Sequence, residues 1–145
     1  MQIDTNAPVT ARDSILIHAP LEQVWSLQAN IEQWTQWQPN ISRAVLEGEL
    51  KAGSVFRWKA QGLAITSTLQ VVDPCRQIGW TGGSLGMKAI HLWHFEATPE
   101  GTRVTVEESL SGWFTRLLAW FDRAFLTKSI ASSLALLKAQ AEKST

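Results

Sequence analysis

The sequence predicts an α+β fold in which a curved, seven-stranded antiparallel β-sheet wraps around one long C-terminal helix. Three observations carry that reading. Between Ile41 and Leu110 the hydrophobic period is two, the mark of half-buried strands. The strand candidates in that region are separated by "KAG", "QG", "DPC", "GGSLG" and "TPEG", short groups with the Gly, Pro and Asp signals of turns. From about Phe114 to Ala141 helical spacing returns, with Leu117, Leu118, Phe121, Phe125, Ile130, Leu134 and Leu137 forming an apolar stripe.

The elements follow in order. The polar first dozen residues, about 1–12, read as a loose arm on a single domain spanning 1–145. "DSILIHAP" is a first strand with Ile15 and Ile17 on one face, and Pro20 stands where a first helical turn accepts it. Leu21, Val24, Trp25 and Leu27 have the spacing of a short helix; Asn30 can cap a second that carries Trp34 and Trp37 on one face, and Pro39 ends the pair. Six strands then make a meander. A single helix cannot cover a twisted sheet of seven strands, so the gap between them is expected to be a cavity. The two short helices between strands 1 and 2 would close one end, and hairpin loops would rim the other.

Composition narrows the function. The chain has 145 residues with 13 basic and 13 acidic side chains, so no charge footprint points to nucleic acid or to an anionic membrane. One cysteine, Cys75, excludes an internal disulfide framework, and with no signal-like N-terminus a cytoplasmic protein is the expectation. The apolar region Trp113–Leu137 is interrupted by Arg116, Asp122, Arg123 and Lys128 and is not a membrane span. Its aromatics could form an interfacial face, but covering the sheet is the preferred role, with no stable membrane insertion. Eight tryptophans and no tyrosine favour broad apolar walls with a few polar handles.

The order of elements, together with "IHAPLEQVW", "WTQWQPNI", "LKAGSVFRWK", "VVDP", "IGWTG" and "EGTRVTVEESLSG", resembles the START-like (SRPBCC) superfamily, and within it the bacterial polyketide cyclase/dehydrase and lipid-transport group. The resemblance covers about Ser14 to Glu142. It implies a helix-grip fold with a deep apolar cavity for lipids, sterols, polyketides or plant hormones. Some members of the group cyclise or dehydrate polyketides. It implies no shared catalytic motif, so no catalytic residue is carried over.

Strand alternation selects the residues that can reach a cavity. In "GTRVTVEESL" it puts Val104, Val106, Glu108 and Leu110 inside and Arg103, Thr105, Glu107 and Ser109 outside. In "MKAIHLWHFEA" it puts Ala89, His91, Trp93 and Phe95 inside, so His91 and His94 diverge and no metal site is expected. With a four-residue loop, Thr98 to Gly101, Ala97 pairs with Thr102 and His91 lies opposite Glu108. That pair could hold a ligand's polar group, satisfy itself within the wall, or act as general acid and base. The same alternation adds Phe56, Trp58, Leu63, Ile65, Ser67, Leu69, Ile78 and Trp80, while Trp34 and Trp37 stand at one end and Phe121 and Phe125 on the covering helix. "TGGSLGM" reads as a flexible hairpin loop at the rim, because it precedes a strand where a phosphate loop would precede a helix.

No nucleophile constellation, metal cluster or phosphate loop is present in the sequence. The expected function is therefore binding or transport of a small hydrophobic molecule, with no cofactor, by a monomer or homodimer. The alternative is a cofactor-independent cyclase or dehydratase using Glu108 and His91. A regulatory protein whose exposed helix face meets a partner is a third reading.

Overall fold

The computed structural model describes residues 1–143. Strand β1 (Val9–Ile17) leads into helix α1 (Leu21–Ala29). A 3₁₀ turn at Ile31–Gln33 then enters the one-turn helix α2 (Trp34–Trp37). Strands β2 (Ile41–Glu47), β3 (Val55–Ala60), β4 (Leu63–Asp73), β5 (Gln77–Ser84), β6 (Met87–Thr98) and β7 (Gly101–Ser111) follow, and then helices α3 (Trp113–Phe121) and α4 (Phe125–Lys143). All seven strands lie in one sheet in the order β1-β7-β6-β5-β4-β3-β2, each pair antiparallel. Register shifts at Ser42 in β2 and Gln70 in β4 each put an extra residue on one strand, which bends it and raises the local twist. The sheet therefore curls toward its helices.

Helix α4 buries Leu126, Ile130, Leu134, Leu137 and Ala141, a row at spacings of three and four, against β1, β7 and α1. Each of the larger side chains contributes about 1.5–3 kcal/mol on leaving water. Polar ties fix the helix end: Lys138 Nζ donates to the Leu16 carbonyl at 2.8 Å and to Glu142 Oε2 at 2.7 Å, and the His18 amide donates to the same carboxylate at 2.9 Å. The hydrogen bond from Lys138, and then that from the His18 amide, hold the Glu142 carboxyl below its ordinary range.

The structure departs from the sequence expectation in three places. First, residues 9–12 are not a loose arm. They extend β1, with Val9 paired to Leu110 and Arg12 to Glu107. The residues before them lie on the outer face of the sheet, where the Asp4 amide donates to Ser109 Oγ at 3.0 Å and the Met1 thioether sits beside Gly79 and Leu92. That cover explains why Leu92 and Ser109, on the outward side of their strands, are buried.

Second, the C-terminal helix is interrupted. Asp122 adopts an extended backbone (φ −148°, ψ 103°); its Oδ1 accepts from the Ala124 amide at 3.0 Å and its Oδ2 from Lys128 Nζ at 2.8 Å. An aspartate that satisfies the backbone in this way competes with helix continuation and favours a new start. Apolar residues recur every three or four positions through the break, so periodicity alone cannot show it.

Third, "GGSLG" is mostly strand. β5 runs through Ser84, and only Leu85 and Gly86 are left to turn. Gly86 has φ +68°, and a Cβ there would stand 2.5 Å from the Trp113 ring; the Phe114 amide also donates to the Gly86 carbonyl at 2.9 Å. Gly86→Ala is expected to destabilise the protein by about 1–3 kcal/mol, with urea unfolding as the measurement and near-ultraviolet circular dichroism reporting the displaced indole. The β6–β7 loop is tighter than expected, since Thr98 pairs with Gly101, but the register with Ala97 opposite Thr102 is the expected one.

Candidate functional site

Between the concave face of the sheet, α2 and the α3–α4 segment lies a cavity of about 550 Å³. Its lining grades from wet to dry. Asn40, Gln61, Lys128, Ser129 and Ser132 are exposed and form the mouth, whereas Trp34, Trp80, Trp93 and Glu108 are buried at the inner end. A smaller recess of about 350 Å³ lies beside Asp4 and Ser109 and does not include the inner residues.

The inner end is a product of strand register. His91 on β6 is directly opposite Glu108 on β7 and Trp80 on β5, and Trp93 is two residues along on the same face. His91 Nδ1 lies 2.8 Å from Glu108 Oε1, with the two side chains 12% and 11% exposed. The imidazole stacks on Trp93 (centroids 5.6 Å apart, planes within 9°) and lies 4.8 Å from the Trp80 ring. Two indoles and a carboxylate thus hold the ring in one orientation. His91 Nε2 and Trp93 Nε1 are buried without a hydrogen-bond partner among the described residues. When Glu108 is ionised, Nδ1–H donates to it, and Nε2 is free to accept a proton or, on the imidazolium, to donate one.

The remaining wall is aromatic. Trp34 meets Phe56 and Trp58 edge-on at 5.7 and 5.5 Å and lies 5.6 Å from Trp80, while its Nε1–H donates to the Gln28 carbonyl at 3.0 Å. Trp58 Nε1–H donates to Ser67 Oγ at 3.1 Å, so this serine already has one partner. Ile65, Phe125 and Leu126 are among the other apolar residues of the lining.

Eight expected lining residues do not line it. Phe56, Leu69, Ile78, Phe95, Val104 and Val106 face inward but belong to the packed core, as Phe95 does by meeting Trp25 edge-on at 5.3 Å. Alternation identifies the inner face; helices α1 and α4 fill part of that face and leave only the rest open. Trp37 is half-buried outside the cavity, its Nε1 without a hydrogen-bond partner among the described residues, and Phe121 is 74% exposed on α3. Conversely, Gln28, Gln38, Asp122 and Ser129, Ser132 and Ser133 line the cavity without having been expected there. The three serines sit at i, i+3 and i+4 of α4, a polar row on one helix face that was visible in "SIASSL". Among the described residues no group of three His, Cys, Asp or Glu side chains converges as metal ligands do.

The family model for polyketide cyclase/dehydrase and lipid transport proteins matches residues 8–142. The chain belongs to this family. Solved structures share the fold of this polyketide cyclase/dehydrase family member, a curved antiparallel sheet with a long C-terminal helix. A START superfamily protein from Mycobacterium smegmatis superposes with a TM-score of 0.74 at 15% identity, covering 94% of this chain and 99% of that one. A hypothetical protein from Helicobacter pylori gives 0.78 at 16% identity, covering 92% and 86%. The di-domain ARO/CYC StfQ of the steffimycin biosynthetic pathway gives 0.76 at 18% identity; 93% of this chain is covered, and it spans about half of that protein, 51%. Comparison with curated proteins yields no match. No helix among the described residues of this family member is long and apolar enough to cross a membrane.

Proposed function

We propose that this protein binds or carries a small hydrophobic molecule, a lipid, polyketide or aromatic compound, with its polar group held at His91 and Glu108. The buried His91–Glu108 pair at the inner end of an apolar cavity carries the reading. The cavity volume falls in the range of ordinary small-molecule sites, which are apolar with a few placed polar groups. A buried polar atom without a partner costs about 1–3 kcal/mol, and a ligand hydroxyl or carbonyl would relieve that at His91 Nε2. The tryptophan wall gives a flat ligand broad contact.

A second reading, a cofactor-independent cyclase or dehydratase, is favoured by one feature, the imidazole nitrogen left unpartnered beside a carboxylate that orients the ring. Proton removal next to a carbonyl, ring closure and loss of water need only a group that takes and returns protons.

Native mass spectrometry of freshly purified protein is expected to show a copurifying small molecule. With an aromatic polyketone as probe, followed by quenching of tryptophan fluorescence, His91→Ala is expected to weaken binding about tenfold. Under the catalytic reading, His91→Ala and Glu108→Gln each lower turnover while most binding is kept. Unchanged affinity and unchanged turnover in both variants would remove the pair from any role.

A further inference from the structure

Helix α3 buries only Thr115, whose hydroxyl donates to the Ser111 carbonyl. Trp113, Leu117, Trp120 and Phe121 are 60%, 46%, 78% and 74% exposed, and their spacing of i, i+4, i+7 and i+8 puts them on one face. The adjacent β5–β6 turn adds Leu85, 72% exposed, next to the glycine on which the Trp113 ring rests. Single exposed apolar residues are ordinary, but five large ones gathered at one end of the molecule mark an interaction surface.

The charges of this segment that have no ion-pair partner among the described residues have one sign. Between Gly112 and Lys128 the only acid is Asp122, and Lys128 already pairs with it at 2.8 Å. Arg116 and Arg123 are exposed and form no ion pair among the described residues. Tryptophan and phenylalanine on one face with arginine beside them is the pattern of a helix lying in a bilayer interface. At nine residues α3 is too short to span. An isologous pairing with a second copy would set this face against itself and offer Arg116 and Arg123 no acid from the segment beyond the already paired Asp122, which disfavours that occupant.

We propose that α3 docks peripherally on an anionic phospholipid surface through Trp113, Leu117, Trp120 and Phe121, with Arg116 and Arg123 contacting the headgroups. Leu118 and Asp122 of the same segment line the cavity, so docking places the mouth at the bilayer. Passage of cargo between bilayer and cavity rests on the binding function proposed above; the docking itself does not.

The test is cosedimentation with phosphatidylcholine vesicles containing about a third phosphatidylglycerol, against phosphatidylcholine alone. Binding to the anionic vesicles is expected, weakening as salt rises. The double variant Trp120→Glu/Phe121→Glu, altered only at exposed positions, is expected to lose at least about tenfold in vesicle affinity. Each of Arg116→Gln and Arg123→Gln is expected to lose about fivefold on anionic vesicles. Absence of vesicle binding, or binding unchanged in the double variant, would overturn the proposal. So would concentration-dependent dimerisation abolished by that variant, which would assign the face to a second copy. Titration of the polyketone probe without vesicles reads the cavity separately: His91→Ala should affect that titration and leave vesicle binding intact.

Discussion

Trp34→Ala is expected to lower the free energy of unfolding by about 3–5 kcal/mol, read from urea denaturation. The indole is 2% exposed and is the common neighbour of Phe56, Trp58 and Trp80. Truncation removes three ring contacts together and leaves the Gln28 carbonyl without its donor. Helix α2, one turn long, has little else with which to hold its place. Trp34→Phe keeps most of the volume and should recover more than half of the loss. If Trp34→Ala costs less than about 1 kcal/mol, the aromatic cluster is not what anchors α2.

Glu108→Ala is expected to cost about 3 kcal/mol, because it leaves His91 Nδ1 buried without its partner. The informative comparison is the apolar replacement Glu108→Leu/His91→Phe. An apolar pair of similar volume between Trp80 and Trp93 should recover most of the stability, since exchanging a buried polar pair for packed hydrophobes is often neutral or better. The double variant should nevertheless lose affinity for the probe. That divergence, stability restored and binding lost, would show that the pair serves the ligand and not the fold. Stability that stays low in the double variant would assign the pair to the wall.

Much of this site is legible in the sequence because a strand has only two faces. Once "HLWHFEATPEGTRVTVEES" is seen as a hairpin, the side chains of Glu107 and Glu108 must diverge, and the register across a short turn brings His91 to Glu108. What alternation cannot give is how far the helices fill the inner face. Phe56, Leu69, Phe95 and Val106 cannot be told from true lining residues by strand pattern, because what buries them comes from elsewhere, as Trp34 of α2 does for Phe56 and Trp25 of α1 for Phe95. The break at Asp122 was hidden for a related reason. It is made by hydrogen bonds from Ala124 and Lys128, while the apolar spacing continues through it. With the helix divided, the aromatic face of α3 is left in solvent instead of on the sheet. The burial of Leu92 was also illegible, because its cover comes from residues some ninety positions earlier.

The pairing of the first strand with the last sets a temporal order on the molecule. Strands β2 to β7 can zip together locally as hairpins, but Val9–Ile17 has no strand partner until Thr102–Leu110 exists, and α4, which packs on it, comes later still. During synthesis the first strand therefore waits as an unpaired edge, the kind of segment that invites association with other chains. The container is closed by β7 and by the helix that follows it, so a product cut short before β7 would have neither a finished sheet nor the helix across its cavity.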